Sequence, residues 1–172
     1  MYTYKSAKEF CDIAKQEYEY EIERISKLDN KISITLGFCG GAFLFLLGYI
    51  NIRSLWNFNT QLMCVECILR FICTLLQIGC LSFFIVSIIL LFKILRPRIY
   101  FRFDPNYLLK EETYELDNNQ ANMFIGVKYS EYAIYNSEIN DIRSNEYSNS
   151  LKWLLAAIIL CFVNEIIKKN FI

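Results

Sequence analysis

The sequence predicts an all-α integral membrane protein with two long spans, a short third hydrophobic segment and extended cytoplasmic helices. Three observations carry that fold class. Residues 32–52 and 71–92 are uncharged apolar runs of 21 and 22 residues, each meeting the roughly 20 residues that a spanning helix needs. The charges are segregated, with 13 in residues 1–31 and 17 in residues 93–152. The chain is also 55% hydrophobic, high for a soluble domain of its 172 residues. Four regions follow: 1–31, a cytoplasmic amphipathic helix continuing into the membrane; 32–92, a two-span hairpin with an outer loop at 53–70; 93–150, cytoplasmic and mainly helical; and 151–172, the short third segment and C-terminal tail.

Within residues 1–31, Ala7, Cys11, Ala14, Tyr18, Ile22, Ile25 and Leu28, followed by Ile32, recur at steps of three or four and draw one apolar stripe along a helix. Neither Gly nor Pro separates it from the first span, so one long helix is expected. A stripe of this length needs a partner, first from this chain and second from a neighbouring copy. The charged N-terminal residues contain no apolar stretch of the kind a cleaved signal peptide carries, and none is expected.

In the first span, Ser33, Gly37 and Gly41 are spaced by four, with Gly48 seven residues further on. Small residues at this spacing let helix backbones approach closely, and packing against the second span is the first expectation. The second span carries Gln77, Cys80 and Ser87 within an arc of about 80°. Such a row serves interhelical hydrogen bonding or lines a narrow wet path. Lys and Arg flank the spans on the sides of residues 1–31 and 93–150, which is expected to place both regions and the N-terminus in the cytoplasm and the loop outside.

Pro97 should end the second helix near Leu95. From Arg98 to Phe103, Ile99, Phe101 and Phe103 alternate with Tyr100 and Arg102, a period of two that predicts a short extended piece. Arg96, Arg98 and Arg102 beside these aromatic residues suit anionic lipid headgroups, or the phosphates of a nucleotide or oligonucleotide. Asp104, Pro105 and Asn106 read as a turn. A helical region from about Tyr107 is expected to break near Gly126. Beyond it, Tyr132, Tyr135, Ile139, Ile142, Tyr147, Leu151 and Leu154 draw a second apolar stripe, with Asn136, Asn140 and Arg143 outside it.

The third hydrophobic segment, Trp153–Asn164, supplies 12 uncharged residues, about 18 Å of helix. Asn164 and Glu165 close it, and Ala157, Cys161, Asn164 and Glu165 share a face. An ionisable group at membrane depth is a candidate for function, so Gln77, Asn164 and Glu165 are the candidate pore-lining residues. The alternative for Glu165 is an i,i+4 ion pair with Lys169 at a helix end.

Most of the seven cysteines fall in apolar runs and read as small hydrophobes. Cys64 and Cys67 form a lone CxxC in the expected loop, weak ground for zinc without a second ligand pair. The chain has no histidine, and no phosphate-binding loop, metalloprotease or nucleophile-elbow motif, so no catalytic, metal or cofactor site is expected.

The charged helix leading into a two-span hairpin, the run Tyr132-Ala133-Ile134-Tyr135-Asn136 and the run Ser150-Leu151-Lys152-Trp153-Leu154-Leu155 resemble the SLATT-type membrane effectors of bacterial anti-phage systems. Size and the third segment are also similar to membrane effectors of the Hailong type. The resemblance implies a homo-oligomer, with a tetramer favoured, that opens a conductive path under control of a nucleotide made by a partner nucleotidyltransferase. It rests on architecture and helical pattern, so every candidate residue above comes from this chain alone. The expected function is an ion-conducting, depolarising effector of abortive infection; the alternative is a non-conducting scaffold anchoring a cytoplasmic partner.

Overall fold

The computed structural model describes residues 6–49, 64–106 and 116–171. Three helices carry the fold: α1, Ala7–Tyr49; α2, Cys64–Ile94; and α3, Asn118–Phe171. No strand occurs among the described residues. Two helices, α2 from Cys67 and α3 to Asn170, are long and apolar enough to cross a bilayer. The third segment, short when counted by uncharged residues alone, thus belongs to a helix of sufficient length.

The ends of these elements follow local chemistry. Backbone bonds from Leu95 N–H to Leu91 O and from Arg96 N–H to Lys93 O close the last turn of α2 just before Pro97, as the proline requires. The amide of Asn106 donates to the Asp104 carboxylate at 2.9 Å, an Asx turn at the expected place. Helix α3 opens on a reciprocal capping box. The Gln120 amide donates to the Asp117 carboxylate at 2.7 Å, and the Asp117 amide donates to the Gln120 side chain at 3.3 Å.

Several expectations need correction. Helix α2 already begins at Cys64, so the CxxC lies in its first turn and the loop is shorter than 53–70 at its C-terminal side. The remainder of that loop, and the helical start at Tyr107, lie outside the described residues. Gly126 does not break α3. It is buried, and a Cβ there would lie 2.7 Å from the Phe10 ring and 3.1 Å from the Cys11 Cα. The glycine serves close approach of two helices rather than a turn.

The chain divides into two compact units, one comprising residues 1–30 and 97–144, the other residues 31–96 and 145–172. In the first, here the polar unit, α1 and α3 run parallel, with Phe10 near Gly126 and Glu21 bonded to Asn140. In the second, the apolar unit, α2 packs antiparallel to α3. The Ser87 hydroxyl donates to Ser150 O at 2.9 Å, and the Cys80 thiol donates to Ala157 O at 3.2 Å. A hydrogen bond of 2.9 Å between Thr35 and the Tyr147 hydroxyl joins α1 to α3 there.

Burial on α3 follows a seven-residue seam through Gly126, Ala133 and Asn140, and through Asn136, Arg143, Ser150, Ala157 and Asn164. On α1 the seam holds Ala7, Ala14, Glu21 and Leu28, then Ile32 and Cys39. This periodicity is that of interlocking helices. It overturns the expected α3 stripe: Asn136, Asn140 and Arg143 are buried, whereas Ile142 remains 51% exposed. Tyr135 and Leu151 also face outward.

The Gly126→Ala variant should lose about 1 kcal/mol net, because overpacking against the Cys11 backbone exceeds the gain in helix propensity. By circular dichroism in detergent, its Tm should fall by about 2–4 °C. A Gly40→Ala variant, with nothing among the described residues within 4 Å of the added methyl, should instead raise the Tm by about 2–4 °C through the helix-propensity gain alone.

Candidate functional site

In the polar unit, the buried seam is a chain of mostly paired polar groups, with Asn140 Oδ1 lacking a hydrogen-bond partner among the described residues. Glu21 is only 6% exposed. Asn140 Nδ2 donates to its carboxylate at 2.8 Å and to its backbone oxygen at 3.0 Å, and Arg24 lies 3.4 Å away. Arg24 also reaches Asp141 at 2.5 Å, and that bond to Asp141 raises its guanidinium pKa against the opposing effect of burial. Arg143 is 4% exposed, donates to the Tyr100 hydroxyl at 2.8 Å and forms an ion pair with Asp29. Burial alone would lower the Arg143 pKa; the bonds to Asp29 and Tyr100 outweigh it and leave the group raised.

The extended piece expected from the alternation is held in an unusual way. The Phe101 amide donates to Asn136 Oδ1 at 3.1 Å, while Asn136 Nδ2 donates to the Phe101 carbonyl at 3.0 Å. One side-chain amide thereby pairs with both backbone groups of Phe101, as a neighbouring strand residue would. Phe101 stacks on Tyr132 at 5.5 Å and meets Tyr135 edge-on at 4.4 Å, and Phe103 stacks on Tyr129 at 4.7 Å. These contacts set Phe101 and Phe103 against α3 and Tyr100 against Arg143, whereas Ile99, on the same side of the alternation, is 78% exposed.

This arrangement redraws the arginine candidates. Arg98 is half-buried and Arg102 exposed, both in the polar unit, whereas Arg96 belongs to the apolar unit. Arg102 lines a shallow hollow with Glu19 and Glu23. Two carboxylates beside that guanidinium oppose anion binding at this spot. The three arginines are therefore not gathered into one phosphate site within either unit.

In the apolar unit, two of the three pore-lining candidates meet. Gln77 and Asn164 line one cavity of about 20 Å³, together with Cys80 and Cys161. Glu165 lines an adjoining cavity of about 360 Å³ that shares Leu46, Cys80 and Cys161. Asn164 is 2% exposed, and its Oδ1 has no hydrogen-bond partner in the protein. Glu165 pairs with Lys168 at 4.0 Å, one residue nearer than the expected Lys169. The helix-packing candidates fare differently. Nothing lies within 4 Å of a Cβ built at Gly37 or Gly41, and Ser33 is exposed. The buried residues of this stretch of α1 are Ile32 and Cys39. The surroundings of Gly48 lie outside the described residues.

Sequence reasoning missed Glu21, Asn136, Asn140 and Arg143. On α3 the signal was present as Asn136, Asn140 and Arg143 at steps of four and three, but hydrophobic periodicity selects the neighbouring aromatic stripe. Among the described residues, no group of three or more His, Cys, Asp or Glu is placed to hold a metal ion. No family model matches the chain, and no curated protein or solved structure matches it either.

Two outcomes test the polar seam. Arg143→Ala should cost about 2 kcal/mol, below the range for fully buried pairs because Asp29 is half exposed, and should lower the Tm more than Arg24→Ala. Asn136→Leu should release the segment around Phe101, seen as faster trypsin cleavage at Arg98 and Arg102 while helical content is retained.

Proposed function

We propose that the chain is an oligomeric bacterial membrane effector whose helices form a gated ion-conducting path that depolarises the cell. The observation that carries this reading is the apolar unit itself. Two helices long enough to cross a bilayer bring Gln77, Asn164 and Glu165 to the linings of adjoining cavities. Polar groups at such depth are costly unless they serve packing or transport. The open face of Gly37 and Gly41 supports assembly of copies, since small residues favour close helix approach in lipid. The N-terminus is read as cytoplasmic from the flanking basic residues, and control by a nucleotide signal in anti-phage defence is taken from the resemblance to SLATT-type effectors. A tetramer is the subunit number that resemblance favours. Of the arginines, Arg96 and Arg98 are the better phosphate candidates, because Arg102 is shadowed by acids.

One observation favours the second reading, a non-conducting scaffold. Ile134 is 60% exposed on α3, beside Ile142 and Tyr135 on the same helix surface. An apolar face of this kind suits a cytoplasmic partner.

Induced expression should collapse the membrane potential reported by a voltage-sensitive dye. Glu165→Gln should reduce the collapse at equal membrane expression, and Gly41→Leu should reduce both cross-linked oligomer and depolarisation. Normal potential and growth at confirmed membrane expression would exclude the channel reading, and a stable heterocomplex in detergent would then favour the scaffold.

A further inference from the structure

We infer that the groove between α1 and α3 in the polar unit docks a basic amphipathic helix of a partner protein. The groove has a volume of about 370 Å³, and its surface is part polar and part apolar. On α1 the lining runs through Phe10, Ile13, Ala14, Glu17 and Glu21, positions that share one helix face. On α3 it runs through Ser130, Ala133, Ile134, Ser137 and Glu138, again one face. Ala14 and Ala133 are buried and make a floor of small side chains, whereas Ile13 and Ile134 stay 61% and 60% exposed.

From Phe10 to Glu21 the α1 side covers about 16 Å at the helical rise, room for three turns of an incoming helix. Two parallel helices with a seven-residue seam and an unfilled groove offer the place where a third helix completes the apolar packing.

Charge decides which helix fits. Apolar residues line the end near Phe10, and Glu17, Glu21 and Glu138 line the other. Glu21 is held from within by Asn140 and Arg24. Glu17 and Glu138 are exposed and carry no ion pair among the described residues. The polar unit as a whole holds 10 Lys and Arg against 15 Asp and Glu, a net charge of −5. A nucleotide or an anionic lipid surface therefore meets like charge here, and so does the polar unit of a second copy. Residues 107–115 of this chain, with Lys110 against Glu111, Glu112 and Glu115, have the wrong sign to occupy the groove. A helix with apolar residues at steps of three and four, and Lys or Arg a turn or two beyond them, suits both ends. Its cations would meet Glu17 and Glu138 at the rim, where charge sets register and partner choice more than affinity. The inference rests on the partner-binding surface of the scaffold reading, and not on the absence of conduction.

The full-length protein in phosphatidylcholine nanodiscs would be titrated with a fluorescent synthetic peptide of about four helical turns, leucine at the a and d heptad positions and lysine elsewhere. Empty nanodiscs, the same peptide with glutamate for lysine, and a shuffled leucine–lysine peptide are the controls. Saturable binding above empty nanodiscs should appear for the first peptide alone, and carbodiimide should couple its lysines to Glu17 and Glu138, located by peptide mass spectrometry. Glu17→Gln with Glu138→Gln should weaken binding about fivefold. Asp12→Asn with Asp104→Asn, which removes two acids outside the lining, should leave it unchanged. Ile13→Ser with Ile134→Ser should weaken it about tenfold with the helical spectrum intact. Equal binding of the acidic or shuffled peptide would overturn the proposal, as would full affinity in the Glu17→Gln, Glu138→Gln variant. Displacement by an equal concentration of spermine would reassign the groove to a small polycation, and self-association lost in Ile13→Ser would reassign it to a second copy; either result overturns it. Depolarisation of cells together with peptide binding would reject the scaffold reading and leave the groove standing, whereas unchanged potential without peptide binding would reject the groove alone.

Discussion

The polar unit depends on one compensated charge. Arg143 sits at the centre of the α3 seam with 4% exposure, and a guanidinium so placed is tolerated only with partners at hydrogen-bond distance. Asp29 on α1 and Tyr100 on the extended piece supply them. Three separate stretches of sequence are thereby fixed to one side chain. The apolar contribution here is small, since the buried residues are Ala7, Ala14, Leu28 and Ala133. Specific polar pairing, rather than area, sets the helix register in this unit. An offset of one residue would part Glu21 from Asn140 and Asp29 from Arg143 together.

The apolar unit solves a different problem with different side chains. Here small side chains make short contacts between helices. Ser87 against Ser150 O and Cys80 against Ala157 O are seven residues apart on both helices, and each lets α2 approach a backbone carbonyl of α3. The stacked Phe43 and Phe84 rings, 6.0 Å apart, bring α1 onto the same bundle. The packing leaves two features unspent: the small-residue face at Gly37 and Gly41, and the cavity ending at Glu165.

Helices α1 and α3 each contribute to both units, and the character of their seams changes along their length. On α1, alanines and Glu21 give way to Ile32 and Cys39; on α3, Asn136, Asn140 and Arg143 give way to Ser150, Leu154 and Ala157. The spacing is retained while the polarity of the buried residues falls. A single repeat thus carries charge-assisted bonds in one unit and small residues with hydroxyl- and thiol-to-carbonyl bonds in the other.

What the sequence determined by itself is what depends on local, one-dimensional regularity. The helical class, the end of α2 before Pro97, the Asp104 turn and the apolar character of α2 follow from run length, residue type and proline geometry. The alternation at Ile99–Phe103 likewise announced a segment with one apolar side. Only tertiary structure decided which face of each helix is inside. Hydrophobic counting placed Ile142 inward and Arg143 outward, because the partners that make a buried guanidinium acceptable lie more than forty residues away in sequence, at Tyr100 and Asp29. It read Gly126 as a break, because the Phe10 ring and the Cys11 backbone that need its missing side chain belong to another helix. It also gave Gly37 and Gly41 an intrachain partner, since spacing states that a face can pack closely but not what packs on it. Gln77, Asn164 and Glu165 were visible as polar residues in apolar runs; their placement on adjoining cavities required α2 and α3 to be docked.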